Sequence, residues 1–142
     1  MASAILGLVL DSSVLVAAER AKRTTPDVIQ HIRAAVGDVP IIMCALNVAE
    51  LAHGIHRADS EARRQQRRQF LDELKAAVPV HPVTEAAAEI IARIGSEQAA
   101  RGINVPLADL IIGACALELG YAIGTNNARD FNRIPGLTVF SL

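Results

Sequence analysis

Short unbroken apolar runs alternate along the chain with longer segments whose apolar residues recur at helical spacing. Ile5–Leu10 is a β-rich apolar run halted by Asp11, which predicts a buried strand. Ser12 and Ser13 then offer helix-start oxygens, and Val14–Arg20 reads as a short helix. Thr24-Thr25-Pro26-Asp27 combines a capping hydroxyl, a first-turn Pro and an acid facing the positive helix end. Val28, Ile29, Ile32, Ala35 and Val36 give that helix its apolar face, and Gly37-Asp38 ends it. Ile41–Met43 predicts a second strand and Leu46–Arg57 a helix. Ser60 opens a helix to about Ala77, with Phe70, Leu71, Leu74 and Ala77 gathered in its second half. Val78–Val80 is a brief third strand closed by His81-Pro82. Thr84 starts an amphipathic helix through Ile90, Ile91 and Ile94 to Arg101, stopped by Gly102. Pro106 starts the last long helix, stopped by Gly120 after Leu119. Tyr121–Gly124 and Leu137–Phe140 read as strands, separated by a loop over Thr125–Gly136 with room for one helical turn.

This alternation predicts an α/β fold with a mostly parallel sheet of about four to five strands. There is no internal repeat, low-complexity tract or linker, so one domain is expected over residues 1–142. At 51% hydrophobic and 20% charged the chain has enough apolar matter for a core. The N-terminal run lacks a basic leader and is broken by Asp11, and no stretch of about 20 apolar residues is free of charge. Cys44 and Cys115 each sit in an apolar run and read as free thiols. Together these features predict a cytoplasmic, soluble protein. A formal charge of −1 excludes a strongly basic nucleic-acid coat, and 3% aromatics disfavours base stacking.

The placement of the acids changes this picture. Asp11 is the sole charge from Met1 to Ala18, Glu50 from Ile41 to His56, and Asp109 from Gly102 to Leu117. A carboxylate inside an apolar element is costly unless paired or bound to a cation. In an open α/β sheet, ligands bind beyond the carboxyl ends of the strands. Asp11 ends the first strand, Glu50 lies two turns into the helix after the second, and Asp130 lies in the loop after Tyr121–Gly124. All three therefore project to one edge, which Asp109 reaches from the side. Carboxylates gathered in one pocket repel and stay partly protonated unless a divalent cation joins them. An all-oxygen set selects Mg²⁺ or Mn²⁺ over zinc, and the natural chemistry is metal-activated attack of water on a phosphodiester. Each acid also has an ordinary reading: Asp11 as a helix cap, Asp109 as a dipole partner, Asp130 as a turn residue. Glu50 has no basic residue at i±3 or i±4, with only His53 at i+3.

Four segments in order then resemble the PIN-domain nucleases, and within them the VapC-like toxins of toxin–antitoxin pairs. They are Val9-Leu10-Asp11-Ser12-Ser13-Val14-Leu15, and Asn47-Val48-Ala49-Glu50-Leu51 with Gly54-Ile55. The others are Pro106-Leu107-Ala108-Asp109-Leu110-Ile111-Ile112, and Thr125-Asn126-Asn127-Ala128-Arg129-Asp130-Phe131. The resemblance implies a three-layer α/β/α fold and a Mg²⁺- or Mn²⁺-dependent endoribonuclease. It implies catalytic and metal-binding roles for Asp11, Glu50, Asp109 and Asp130, with Ser13, Thr125 and Asn127 in support. It also implies an RNA substrate, a homodimer and a cognate antitoxin. Asn126 and Asn127 are amides where some relatives carry an acid, which bears on how many metals bind.

Arg57, Arg63, Arg64, Arg67 and Arg68 form the densest basic cluster. Arg64 and Arg68 share a helical face, either as solvated charge or as contacts to an RNA backbone. His53 and His56 have a zinc-compatible spacing but no Cys or further His beside them, so a surface role is expected. Gly113 on an apolar helix predicts close packing. A phosphoryl receiver is disfavoured because no Lys lies beyond Lys75, and a dinucleotide enzyme because no G-x-G-x-x-G follows the first strand. The rivals that stand are a silent PIN-like binding module and a housekeeping RNA-processing nuclease. With the four acids set aside on metal, 11 acids face 14 basic residues, so near-neutrality is the sum of an acidic pocket and a mildly basic exterior.

Overall fold

The computed structural model describes residues 5–142, so the first four residues of the expected domain lie outside it. The chain runs β1 (Leu8–Leu10), α1 (Ser12–Arg20), α2 (Thr25–Val36), β2 (Ile41–Cys44), α3 (Ala45–His56) and α4 (Glu61–Ala77). It continues through β3 (Val80–His81), α5 (Glu85–Ala100), α6 (Leu107–Leu119), β4 (Ala122–Thr125), α7 (Ala128–Phe131) and β5 (Val139–Ser141). The five strands are ordered β3-β2-β1-β4-β5, and every neighbouring pair is parallel.

Alternation along β1 divides the core. Leu8 and Leu10 face a cluster with Leu15, Val28, Ile32, Met43 and Leu74, under α1, α2 and α4. Val9 faces the opposite cluster, with Ile94, Ile112, Cys115, Ile123 and Phe131 under α5, α6 and α7. β1 is fully buried because both faces are covered, which is why its sequence is a run rather than an alternation. This is the three-layer α/β/α arrangement expected from the sequence.

From β1 the chain winds outward to β2 and β3, then returns past β1 to form β4 and β5. The winding direction therefore reverses between β1 and β4. The crevice beyond the carboxyl ends of those two strands is the topological switch point where such sheets bind ligands.

Several boundaries differ from the sequence reading, for local reasons. β1 begins at Leu8 rather than Ile5, because Leu6 is largely exposed and pairing starts only when Leu8 N–H reaches Pro40 O at 2.9 Å. β3 begins at Val80 rather than Val78, since Val78 N–H still binds Leu74 O at the end of α4. β4 begins after Tyr121, whose N–H returns to Ala116 O across the left-handed Gly120. β2 and β4 each extend one residue further than expected, to Cys44 and Thr125. β5 runs Val139–Ser141 rather than Leu137–Phe140. α1 starts at Ser12, so Ser12 and Ser13 lie inside the helix rather than capping it.

Gly113 packs as its setting in an apolar helix suggested: a Cβ there would meet Ile134 Cδ1 at 2.6 Å and Leu137 Cδ2 at 3.3 Å. Gln98 Nε2 donates to Arg133 O at 2.7 Å, tying α5 to the segment that follows α7, the short helix carrying Asp130. Gly113→Val should cost about 1–3 kcal/mol by forcing that segment off α6. The midpoint of urea unfolding would fall accordingly, and an unchanged midpoint would contradict this packing.

Candidate active site

Strand register brings the first pair of site residues together. Leu10 pairs with Met43 on one side and Gly124 on the other. Asp11, the next residue, therefore stands between Cys44 and Thr125, and its N–H extends the ladder to Gly124 O at 2.9 Å. Asp11 occupies the N-cap position of α1, yet its side chain makes no capping hydrogen bond. Its carboxylate, only 7% exposed, instead accepts at Oδ2 from Ser13 Oγ at 2.6 Å and from Thr125 Oγ1 at 2.9 Å. Asn126 N–H donates to Ser13 Oγ at 3.1 Å and Asn127 N–H to Thr125 Oγ1 at 2.9 Å. Each hydroxyl has a single proton, so lone pairs filled by amides direct both protons at Asp11. Both bonds fall on one carboxylate oxygen, and Oδ1 is left for another ligand.

Glu50 is held by a second relay. Cys44 N–H donates to Asn47 Oδ1 at 2.8 Å, which fixes the amide orientation. Asn47 Nδ2 donates to Ser12 Oγ at 2.9 Å, and Ser12 Oγ donates to Glu50 Oε1 at 2.8 Å. Asn47 is fully buried while Glu50 is exposed at the pocket. Glu50 also borders a cleft with Val16, Arg20, Leu51, Arg67 and Phe70.

Asp109 lies in the first turn of α6, where the helix dipole favours an ionised acid. Its carboxyl is nevertheless pushed up to about 6. Burial contributes most, followed by the negative charges of Asp11, Asp130 and Glu50, and then a hydrogen bond with Asp130. Desolvation and like-charge repulsion together set the direction of this shift. It also places the four carboxylates in one electrostatic neighbourhood. Asp130, on α7, has Arg133 Nη1 at 3.7 Å as its counter-ion.

The basic cluster separates into two faces. Arg64 lies 3.3 Å from Glu61 and Arg68 lies 3.7 Å from Asp72, both pairs exposed on α4. Arg67 turns inward and donates to Gly54 O at 2.7 Å, joining α4 to the end of α3. Arg67 and Arg20 are thus the cations beside the Glu50 cleft. His53 and His56 are exposed on α3. Ser12, Asn47, Arg20 and Arg133 carry structural roles at the site that the sequence pattern did not isolate. Only the Asn47-to-Glu50 spacing, one helical turn, hinted at any of them.

The donor set is oxygen only, and one oxygen of Asp11 and one of Glu50 are occupied by protein hydroxyls. Among the described residues, no three His, Cys, Asp or Glu side chains converge into a ready-made metal cage. Mg²⁺ fits such a set, because it keeps several waters and takes few direct protein ligands.

The sequence profile of the PIN domain matches residues 8–137. Ribonuclease VapC of Rickettsia bellii is 31% identical over 137 residues, covering 96% of this chain and 97% of its own. Among solved structures, VapBC2 from Rickettsia felis bound to a DNA fragment from its promoter superposes with a TM-score of 0.82 at 19% identity. That match covers 94% of this chain and 97% of the other. VapBC-5 from Mycobacterium tuberculosis, a toxin–antitoxin system, gives a TM-score of 0.73 at 27% identity, covering 95% and 96%.

The raised Asp109 carboxyl has a consequence for the metal-free protein. The folded state holds this proton more tightly than the unfolded chain does. The associated stabilisation is complete below about pH 4 and is lost as pH rises through about 6. Asp109→Asn removes that loss. The variant should be more stable than the parent at pH 8 by about 1 kcal/mol, solvent at this half-buried site screening the repulsion. The two melting curves should converge by pH 4. A variant less stable at pH 8 would contradict the repulsion argument.

Proposed function

The chain belongs to the PIN-domain family, and on that premise we propose that it is a Mg²⁺- or Mn²⁺-dependent endoribonuclease, the toxin of a toxin–antitoxin pair. The observation that carries the proposal is the proximity of Asp11, Glu50 and Asp130 to Asp109 at the switch point, where burial first and then their charges raise the Asp109 carboxyl. Asp11 and Asp109 would hold the main metal, directly or through water, with Glu50 and Asp130 completing the site or orienting the attacking water. A metal bound there supplies a more acidic water and offsets charge that develops on the phosphodiester.

The protein's own contribution is positional. Ser13 and Thr125 pin Asp11 Oδ2, so Oδ1 keeps a fixed direction into the pocket. Ser12 pins Glu50 Oε1 and leaves Oε2 to accept a proton or to orient a water. Asn127 acts through its backbone N–H, which holds the Thr125 hydroxyl in its donating rotamer. In the metal-free pocket Asp109 holds its proton more tightly than an ordinary carboxyl does, and metal binding there would displace that proton.

Phosphate contact, rather than base stacking, would hold the RNA, since a chain with 3% aromatics has few stacking platforms. The antitoxin is proposed from the relatives, whose structures include VapBC systems. A homodimer and a cytoplasmic location are proposed with it. No helix among the described residues is long and apolar enough to cross a membrane.

With Mg²⁺ the purified protein should cleave RNA, and Asp11→Asn should lower the rate by at least about 100-fold while preserving the melting temperature within a few degrees. Equal rates for the two proteins would overturn the assignment and favour a silent PIN-like module. Cleavage confined to one structured precursor would favour a processing nuclease over a toxin.

Arg64 and Arg68 carry a separate proposal, contact with the RNA backbone. Replacing both by Gln should reduce the slope of log K against log salt by about 1–1.5. An unchanged slope would assign the pair to the solvated face of α4, where Glu61 and Asp72 already accompany them.

A further inference from the structure

Cys44 and Cys115 are 71 residues apart in sequence, yet their Sγ atoms lie 3.1 Å apart, and both side chains are fully buried. Rigid elements hold each thiol. Cys44 is the last residue of β2, paired in register with His81, and its N–H is fixed on Asn47 Oδ1. Cys115 sits in the buried middle of α6, between Ala114 and Ala116, both without exposure. Joining the sulfurs shortens their separation by only about 1 Å, to the usual 2.03–2.05 Å of a disulfide.

We propose that Cys44 and Cys115 form a peroxide-oxidisable pair that closes an intramolecular disulfide, bolting the start of α3 to the middle of α6. These helices carry Glu50 and Asp109, but the inference stands apart from the nuclease reading.

The environment distinguishes the two sulfurs. The hydrogen bond from Cys115 favours the Cys44 thiolate and, with the Leu46 backbone and His81, lowers the Cys44 thiol against burial and the charge of Glu50. Cys115 moves the other way, through the same hydrogen bond and burial. Cys44, whose in-register strand neighbour is His81, is assigned as the attacking sulfur. The pair is sealed, but its margin is polar. His81, one strand over, and Glu118, one turn along α6 from Cys115, lie 3.1 Å apart with side chains 22% and 19% exposed. Thr84 Oγ1 donates to the other oxygen of Glu118 at 2.6 Å and fixes that margin.

The Cys44 thiolate attacks one peroxide oxygen, the O–O bond breaks, and hydroxide leaves to take up a proton as water. Cys44 is then a sulfenic acid. The Cys115 sulfur attacks the Cys44 sulfur, the S–O bond breaks, and the hydroxyl leaves with the Cys115 proton as a second water. Two thiols and one peroxide become one disulfide and two waters, with two electrons passing from sulfur to oxygen.

The test is titration of the native, full-length protein with hydrogen peroxide, followed by tryptic mapping without reductant. Cleavage after Arg33, Arg57, Arg101 and Arg129 places the two cysteines on separate peptides. The expected result is a Cys44–Cys115 cross-linked peptide, removed by dithiothreitol, forming in the folded protein. Cys115→Ser should instead accumulate a Cys44 sulfenic acid, which dimedone traps when the peroxide-treated protein is unfolded. Should that variant fold poorly, the wild-type measurement decides alone. Free thiols at both positions after peroxide treatment of the folded protein, or cross-links only between chains, would overturn the proposal. So would a cross-link that forms only in denaturant.

Discussion

Repulsion among carboxylates is the constraint around which this molecule is arranged. Asp11, Glu50 and Asp130 lie near enough to Asp109 for their charges to act on it, beyond the strands where the sheet's winding reverses. Left alone, such a group opposes folding, and the Asp109 carboxyl is raised first by burial and then by the charges of Asp11, Asp130 and Glu50. Nothing about packing a small α/β core requires it. A parallel sheet buried on both faces supplies the rigidity to hold these acids near one another, and a hard divalent cation is the ligand we propose to offset their charge.

The same priority shows in how the helices begin. α2, α4 and α5 lie away from the acids, and each has a hydroxyl cap: Thr24, Ser60 and Thr84 accept from the third residue on. α1 and α6, which start at the site, have no side-chain cap. Asp11 stands at a capping position but turns its carboxylate into the pocket, and Ser12 and Ser13 spend their hydroxyls on Glu50 and Asp11. Local helix stability, about 1 kcal/mol per cap, is forgone where these hydroxyls and carboxylates bond to one another instead. The relay through Asn47 extends this logic one layer inward, since a fully buried amide is fixed at both ends to orient one exposed carboxylate.

Much of this was legible in the chain. The caps at Thr24, Ser60 and Thr84, the stop at Gly120 and the alternation of strand and helix follow from local rules, and the structure keeps them. The lone acids were legible because a charge in an apolar run stands out. Strand edges shifted where a helix kept an amide, at Val78 and Tyr121, because that competition is settled by hydrogen bonds with no sequence mark. The roles of Ser12 and Asn47 were not legible, because they depend on the register of β1 against β2 and on the path of α3. The contact between Asp109 and Asp130 likewise depends on how α7 packs on α6. Arg67 looked like one more member of a charged cluster, and only its bond to Gly54 O separates it from Arg64 and Arg68.

The central claim is that these four acids make one divalent-cation site, and calorimetric titration with Mn²⁺ tests it most directly. At pH 6, where Asp109 is partly protonated, Mn²⁺ should bind with release of a fraction of a proton, read from the dependence of the heat on buffer ionisation. Asp11→Asn should weaken that binding by at least about tenfold, or about 1.4 kcal/mol. Binding of equal strength in the two proteins, or no binding by the parent, would contradict the account.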